Sequence, residues 1–151
     1  VKRADYVGAA DSVGVKRGVF TVVLRIGLAI GFCIDLYVGA LSLFAPQLIT
    51  PLLDIPMHDP TIVRIAGGEY VVAALVYALA FRDPRRFRVL LWLCALDQLF
   101  GVVMPALAVA HGEIPSTWKI IAPIPFQAVL GLLFAYAAWP GRNRSATPFM
   151  Q

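Results

Sequence analysis

Charge is scarce in this chain. Only 15% of its 151 residues are Asp, Glu, Lys or Arg, against 60% hydrophobic residues and a mean hydropathy of +0.77. A soluble domain carries about a quarter charged residues and about half apolar ones, so a water-soluble fold is excluded. Histidine and cysteine are nearly missing, with two of each. His58 and His111 both fall outside the apolar runs, which argues against b-type haem or chlorophyll held through an intramembrane histidine. Cys33 and Cys94 lie inside apolar runs with no CxxC or Cys/His spacing, so neither a metal cluster nor a disulfide framework is indicated. Lysine is confined to Lys2, Lys16 and Lys119, leaving none deep in a span for a retinal Schiff base. There is no Walker or dinucleotide loop, and no nucleophile with a base in helical register.

What is present is four long apolar runs, about 19–44, 61–81, 89–110 and 118–139. Each is near the 20 residues that a membrane-crossing helix needs. Trp118 and Trp139 bracket the last run, roughly 31 Å apart along a helix, matching a hydrocarbon core flanked by interfacial aromatics. The first run is too long for a signal-peptide core and carries Arg25 and Asp35. The predicted fold is therefore all-α, an integral membrane bundle of four transmembrane helices over 19–139. Residues 1–18 form a short cytoplasmic tail or surface helix, and residues 140–151 a cytoplasmic tail. Pro46, Pro51, Pro56 and Pro60 punctuate a stretch containing Leu48, Ile49, Leu52, Leu53 and Ile55. It is predicted as a short interfacial segment between helices 1 and 2, because prolines this frequent break any long helix.

Basic residues orient the bundle. Lys2, Arg3, Lys16 and Arg17 precede span one; Arg82, Arg85, Arg86 and Arg88 separate spans two and three; Arg142 and Arg144 follow span four. The other side offers Lys119 against Asp54, Asp59 and Glu113. The positive-inside rule places both termini in the cytoplasm of a multi-pass protein. It also accounts for the net charge of +4 without a nucleic-acid partner. The Arg82–Arg88 turn has anionic lipid head groups as a secondary role.

Ionisable groups inside the spans are the candidate functional residues, since they are costly in lipid and face bundle interiors. Arg25 and Asp97 lie roughly 9–12 Å from the cytoplasmic end, and Asp35, Glu69 and Gln127 roughly 12–14 Å from the outer end. Arg64 lies about a turn inside that outer end. Two layers are predicted: a structural Arg25–Asp97 ion pair, and an outer cluster of Asp35, Glu69 and Gln127 beneath Arg64. Asp35 shares a stripe with Gly27, Gly31 and Gly39, Asp97 with Gly101, and Gln127 with Gly131, and small residues at such spacing allow close helix approach. These groups serve as register-fixing hydrogen bonds, as the lining of an outer-leaflet pocket for a quinone- or lipid-like ligand, or as a proton or ion path. Pro105, Pro123 and Pro125 fall where they would splay helices around such a pocket. The loop pairs His58-Asp59 and His111-Gly112-Glu113 have no metal-site spacing, and no metal is predicted.

The string Arg64-Ile65-Ala66-Gly67-Gly68-Glu69-Tyr70, the turn Arg82-Asp83-Pro84-Arg85-Arg86 and the start of span one, Leu24-Arg25-Ile26-Gly27-Leu28, resemble the DoxX-like and BphX-like group of small bacterial four-helix membrane proteins. There an R-x-x-G-G element opens the second helix and an R-D-P turn ends it. The resemblance covers the general layout of the chain. It implies a bacterial inner (plasma) membrane setting, and some DoxX relatives are linked to quinone-coupled sulfur oxidation. The leading functional expectation is a non-enzymatic accessory subunit that packs against other membrane subunits or its own copies within the bilayer. No cofactor is required by that expectation. The alternative is a redox-linked or lipid-modifying protein with a quinone- or lipid-like ligand among Asp35, Glu69 and Gln127. A small transporter is weaker, because no inverted repeat is visible.

Overall fold

In lipid every backbone N–H and C=O must find a partner within the chain, so an apolar run of this length has helix as its default. The computed structural model describes residues 4–55 and 59–140, with side chains from residue 18 onward, and its regular structure there is entirely helical. Helix α1 spans Ala4–Phe44, so the N-terminal stretch is helical from Ala4 and continuous with the first span. A 3-10 turn, Pro46–Leu48, leads to the short helix α2, Ile49–Leu53. Helices α3 and α4 span Pro60–Arg82 and Arg88–Ala110. The last crossing is divided into α5, Trp118–Ile121, and α6, Pro123–Ala138. The segments Gly18–Phe44, Pro60–Arg82, Arg88–Ala110 and Trp118–Ala138 are long and apolar enough to cross a membrane. The chain is a multi-pass, four-helix membrane bundle. His58 of the loop-histidine pair lies outside the described residues, as do Lys2, Arg3, Arg142 and Arg144 of the charge pattern.

Local chemistry sets the helix ends. Asp59 caps α3 by accepting the Thr61 N–H at 2.7 Å, with Pro60 at the first helical position, where its missing N–H costs nothing. Asp83 closes the turn after α3 by accepting the Arg85 and Arg86 N–H groups, each at 3.1 Å. Pro123 and Pro125 have no N–H for the carbonyls of Lys119 and Ile121, which breaks the last crossing at Ala122.

Two helix pairs form the bundle: α1 lies along α3, and α4 along α6, while the α3–α4 and α1–α6 seams are looser. The tight α1–α3 crossing depends on missing side chains. A Cβ on Gly67 would come within 2.7 Å of the Ser42 Cβ and 3.0 Å of the Leu43 nitrogen, and one on Gly39 within 3.0 Å of the Gly67 carbonyl oxygen. A closed core occupies the half of the bundle nearer the termini, built from Leu24, Leu28, Tyr77, Leu91, Leu130 and Phe134 with small residues between them. Arg88 ties the start of α4 to the end of α6 by donating to the Ala138 carbonyl at 2.7 Å and to the Trp139 carbonyl. Large apolar side chains such as Val19, Ile62, Val89 and Leu132 point outward, an arrangement suited to an apolar solvent and not to water.

At the opposite, distal end, Lys119 donates to the Pro51 carbonyl at 2.8 Å and to Asp54 Oδ1 at 2.9 Å, fastening α2 to α5. Asp54 adopts a left-handed φ of 56° that ends α2. The hydrogen bond from Lys119 holds its carboxyl below the usual 3.8.

Gly67→Ala is expected to lower bundle stability by about 1–3 kcal/mol, the usual cost of overpacking. Gly68→Ala, where an added Cβ meets nothing within 4 Å, is expected to be neutral or slightly stabilising; reversible unfolding in mixed micelles compares the two. For the distal fastening, a depressed Asp54 value means its contribution is complete above 3.8 and is lost as pH falls through the lowered value. The hydrogen-exchange protection factor at the Asp54 amide, with the intrinsic pH dependence divided out, is expected to fall only below that pH, and to be lower and without this pH dependence in Asp54→Asn.

Candidate ligand-binding site

A helix two turns long returns to nearly the same face, so Glu69, Ala73 and Tyr77 form one stripe on α3. That stripe faces α4 and organises the polar interior. The Tyr77 ring is fully buried against Gly31 of α1, where a Cβ would come within 2.6 Å of it. Seated there, the Tyr77 hydroxyl donates to Asp97 Oδ2 at 2.8 Å and lies 3.3 Å from the Cys94 carbonyl oxygen. Gln98 Nε2 donates back to the Tyr77 hydroxyl at 2.7 Å and reaches Asp97 Oδ2 at 3.1 Å. Phe134 packs edge-on to the Tyr77 ring with centroids 5.8 Å apart. Tyr77 therefore ends the closed core on one side and presents a hydrogen-bonded polar triad on the other.

Above that triad lies a cavity of about 600 Å³ between the two helix pairs, in the distal half. Asp35 from α1, Glu69 from α3, Asp97 and Gln98 from α4 and Gln127 from α6 all line it. The apolar walls include Tyr70, Phe100, Met104, Pro105 and Phe126, and Ile55 and Ile114 approach from the distal loops. Apart from Ile55 in the distal loop, the lining residues that stay exposed group at the looser seams: Glu69, Tyr70, Phe100 and Met104 on α3 and α4, Ile34 and Phe126 on α1 and α6. A shallower groove of about 210 Å³ continues along the α3–α4 seam past Glu69, Ala73 and Asp97. The cavity is thus open sideways toward lipid and floored by packed side chains.

The carboxylates are unequally satisfied. Asp97 receives two hydrogen bonds. Asp35 is only 5% exposed, and its Oδ2 is buried without a hydrogen-bond partner. Gln127 lies over Gly101, where a Cβ would come within 2.7 Å of its amide nitrogen. Pro105, one turn further on, has no N–H to donate to the Gly101 carbonyl.

The sequence-derived cluster of Asp35, Glu69 and Gln127 converges on one cavity, but two of its companions do not. Arg64 is exposed and does not line the cavity, because five residues on a helix put it about 140° around from Glu69. The Arg25–Asp97 ion pair is not formed: the ion pair found among the described residues is Lys119–Asp54. Arg25 is exposed and stacks over the Phe81 ring, 5.9 Å from its centroid, while Asp97 turns to Tyr77 and Gln98. Matching depth does not make neighbours, and α1 contacts α3 and α6, with α4 across the bundle. Tyr77 was the functional residue hardest to foresee; its signal was the four-residue step from Glu69 through Ala73. Among the described residues no cluster of His, Cys, Asp and Glu has the makings of a metal site. Comparison with protein-family models, curated proteins and solved structures gives no significant match to this chain.

Tyr77→Phe removes the donor to Asp97 and the acceptor of Gln98. It is expected to destabilise the bundle by about 1 kcal/mol, in line with other hydrogen bonds inside membranes, as measured by reversible unfolding in mixed micelles.

Proposed function

We propose that this protein binds an amphipathic, hydrogen-bond-donating ligand drawn sideways from the bilayer into the distal cavity. The observation carrying this reading is Asp35, which lines a cavity of about 600 Å³ and whose buried carboxyl group has an Oδ2 without a hydrogen-bond partner. A buried carboxylate oxygen with no partner is destabilising by itself, and a ligand donor would satisfy it. Apolar walls with a few convergent polar groups are the usual makeup of a small-molecule site. Quinols and lipid head groups that carry hydroxyl or amine donors are members of the ligand class. The resemblance to DoxX-like proteins is compatible with such a redox or lipid partner. The charge pattern supports cytoplasmic termini in a bacterial inner membrane, which puts the cavity in the outer leaflet.

Two other readings have less to stand on. A conduit for protons or ions needs continuity across the bilayer, whereas packed Tyr77, Leu130 and Phe134 lie beneath this cavity. An accessory subunit would use small-residue faces for docking. Here Gly27 packs on Leu130, Leu133 and Phe134, Gly31 on Tyr77, and Gly39 on Gly67, all inside the bundle.

Small molecules extracted from the purified wild type, Asp35→Asn and Glu69→Gln proteins, compared by mass spectrometry, test the proposal. A stoichiometric ligand is expected in the wild type, depleted roughly tenfold or more in Asp35→Asn, the loss that goes with a hydrogen bond to a charged group. Identical, empty profiles from all three would overturn it, and a co-purifying protein partner in their place would favour the accessory-subunit reading.

A further inference from the structure

The ionisable groups lining the cavity are all of one sign. Asp35, Glu69 and Asp97 contribute carboxyl groups, and no lysine, arginine or histidine is among the lining residues. The nearby cations are used elsewhere. Lys119 is held by Asp54 and Pro51, and Arg25 stacks on Phe81. Arg64 is exposed on another face of α3 and does not line the cavity. Inside a bilayer, carboxyl groups that share one cavity need either protons or a counter-charge. Asp97 already has its donors in Tyr77 and Gln98. Asp35 has an oxygen with none, and Glu69 stands exposed at the α3–α4 seam.

From this placement we propose that the cavity takes amphipathic organic cations, protonated amines carrying an apolar body. The inference rests on the cavity being a ligand site and names the charge of what fills it. The ammonium group sits against the Asp35 carboxyl group, which lines the cavity and is left unsatisfied by the fold. Glu69, at the lateral opening, supplies attraction along the path in from the membrane interface. Phe100, Phe126 and Tyr70 line the same cavity and suit both the apolar body and the charge, since aromatic faces attract cations. Met104 adds a pliable apolar surface beside them. A neutral ligand leaves the carboxyl groups to be neutralised by protons, whereas a cation supplies the counter-charge itself, so the preference is set by charge and not by shape.

The experiment uses the full-length protein in zwitterionic lipid nanodiscs, with 2-(1-naphthyl)ethylamine as probe and 2-(1-naphthyl)ethanol as its neutral counterpart, binding being followed by equilibrium dialysis. The amine is expected to bind saturably and roughly thirtyfold or more tighter than the alcohol, the scale of a desolvated charge pair. Asp35→Asn is expected to abolish that difference, and Glu69→Gln to weaken amine binding less. Ala108→Phe, which fills the cavity without touching its charge, is expected to block both probes. Thermal unfolding of each variant identifies any that fail to fold. Equal affinity for the two probes, or an unchanged preference in a folded Asp35→Asn protein, overturns the proposal. If the alcohol binds and is blocked by Ala108→Phe while the amine gains nothing, the cation inference falls and the ligand site stands. If neither probe binds and purified wild type carries no ligand, both fall together.

Discussion

The contact between Gly31 and the ring of Tyr77 is the constraint on which the interior depends. Without a side chain at position 31 the ring lies flat against α1, and any Cβ there would overlap it. The ring in turn fixes where its hydroxyl goes, and the hydroxyl gathers Asp97 and Gln98 into one hydrogen-bonded group. Asp97 and Gln98 would otherwise be unsatisfied polar side chains in hydrocarbon, an arrangement that costs several kcal/mol per group. One aromatic side chain thus completes the apolar core of the terminal half and makes the polar floor of the distal half. Displacing it would affect both.

How a cavity of this size persists follows from the solvent. In water, apolar walls facing an opening would collapse together under the hydrophobic effect. Between helices in a bilayer that force is absent, because lipid chains are as apolar as the side chains they contact, and association depends on close packing and hydrogen bonds. Glycine gives α1 and α3 such packing at Gly39 and Gly67. Nothing comparable draws the two helix pairs together in their distal halves, where Pro105 interrupts the hydrogen bonding of α4 and Pro123 breaks the last crossing. The pairs stay apart there, with the Lys119 fastening holding the distal segments across the end.

Length and hydropathy made the spans legible, and the proline-rich stretch after Phe44 could be read as a short helical connection because proline chemistry is local. Depth could also be read, since rise per residue is fixed: Asp35, Glu69 and Gln127 do share one level and one cavity. The sequence does not say which helices are adjacent, nor how each is rotated. That is why Arg25 and Asp97, assigned to one level, have different partners, and why Asp97 joins the residues predicted to lie above it. It also explains Arg64, close to Glu69 in sequence and depth but on another face. Gly31 could be recognised as part of a small-residue stripe, yet the stripe does not disclose that its neighbour would be an aromatic ring and not a helix backbone.

Polar residues in a membrane helix are commonly treated as one category, either structural or functional. Here the two readings belong to different residues. Tyr77, Asp97 and Gln98 satisfy one another across the α3–α4 seam, so their hydrogen bonds are accounted for by holding the bundle in register. Asp35 is as deeply buried as Gln98, lines the same cavity and leaves an oxygen unpartnered. Register alone would be served by an apolar residue at that position, with no buried charge to compensate. A carboxylate whose capacity to accept hydrogen bonds is left unused by its own fold, on the wall of a cavity open to lipid, is better explained by what it meets from outside. The same distinction separates Glu69 from Asp97: both border the α3–α4 groove, but only Asp97 is engaged by the polar floor.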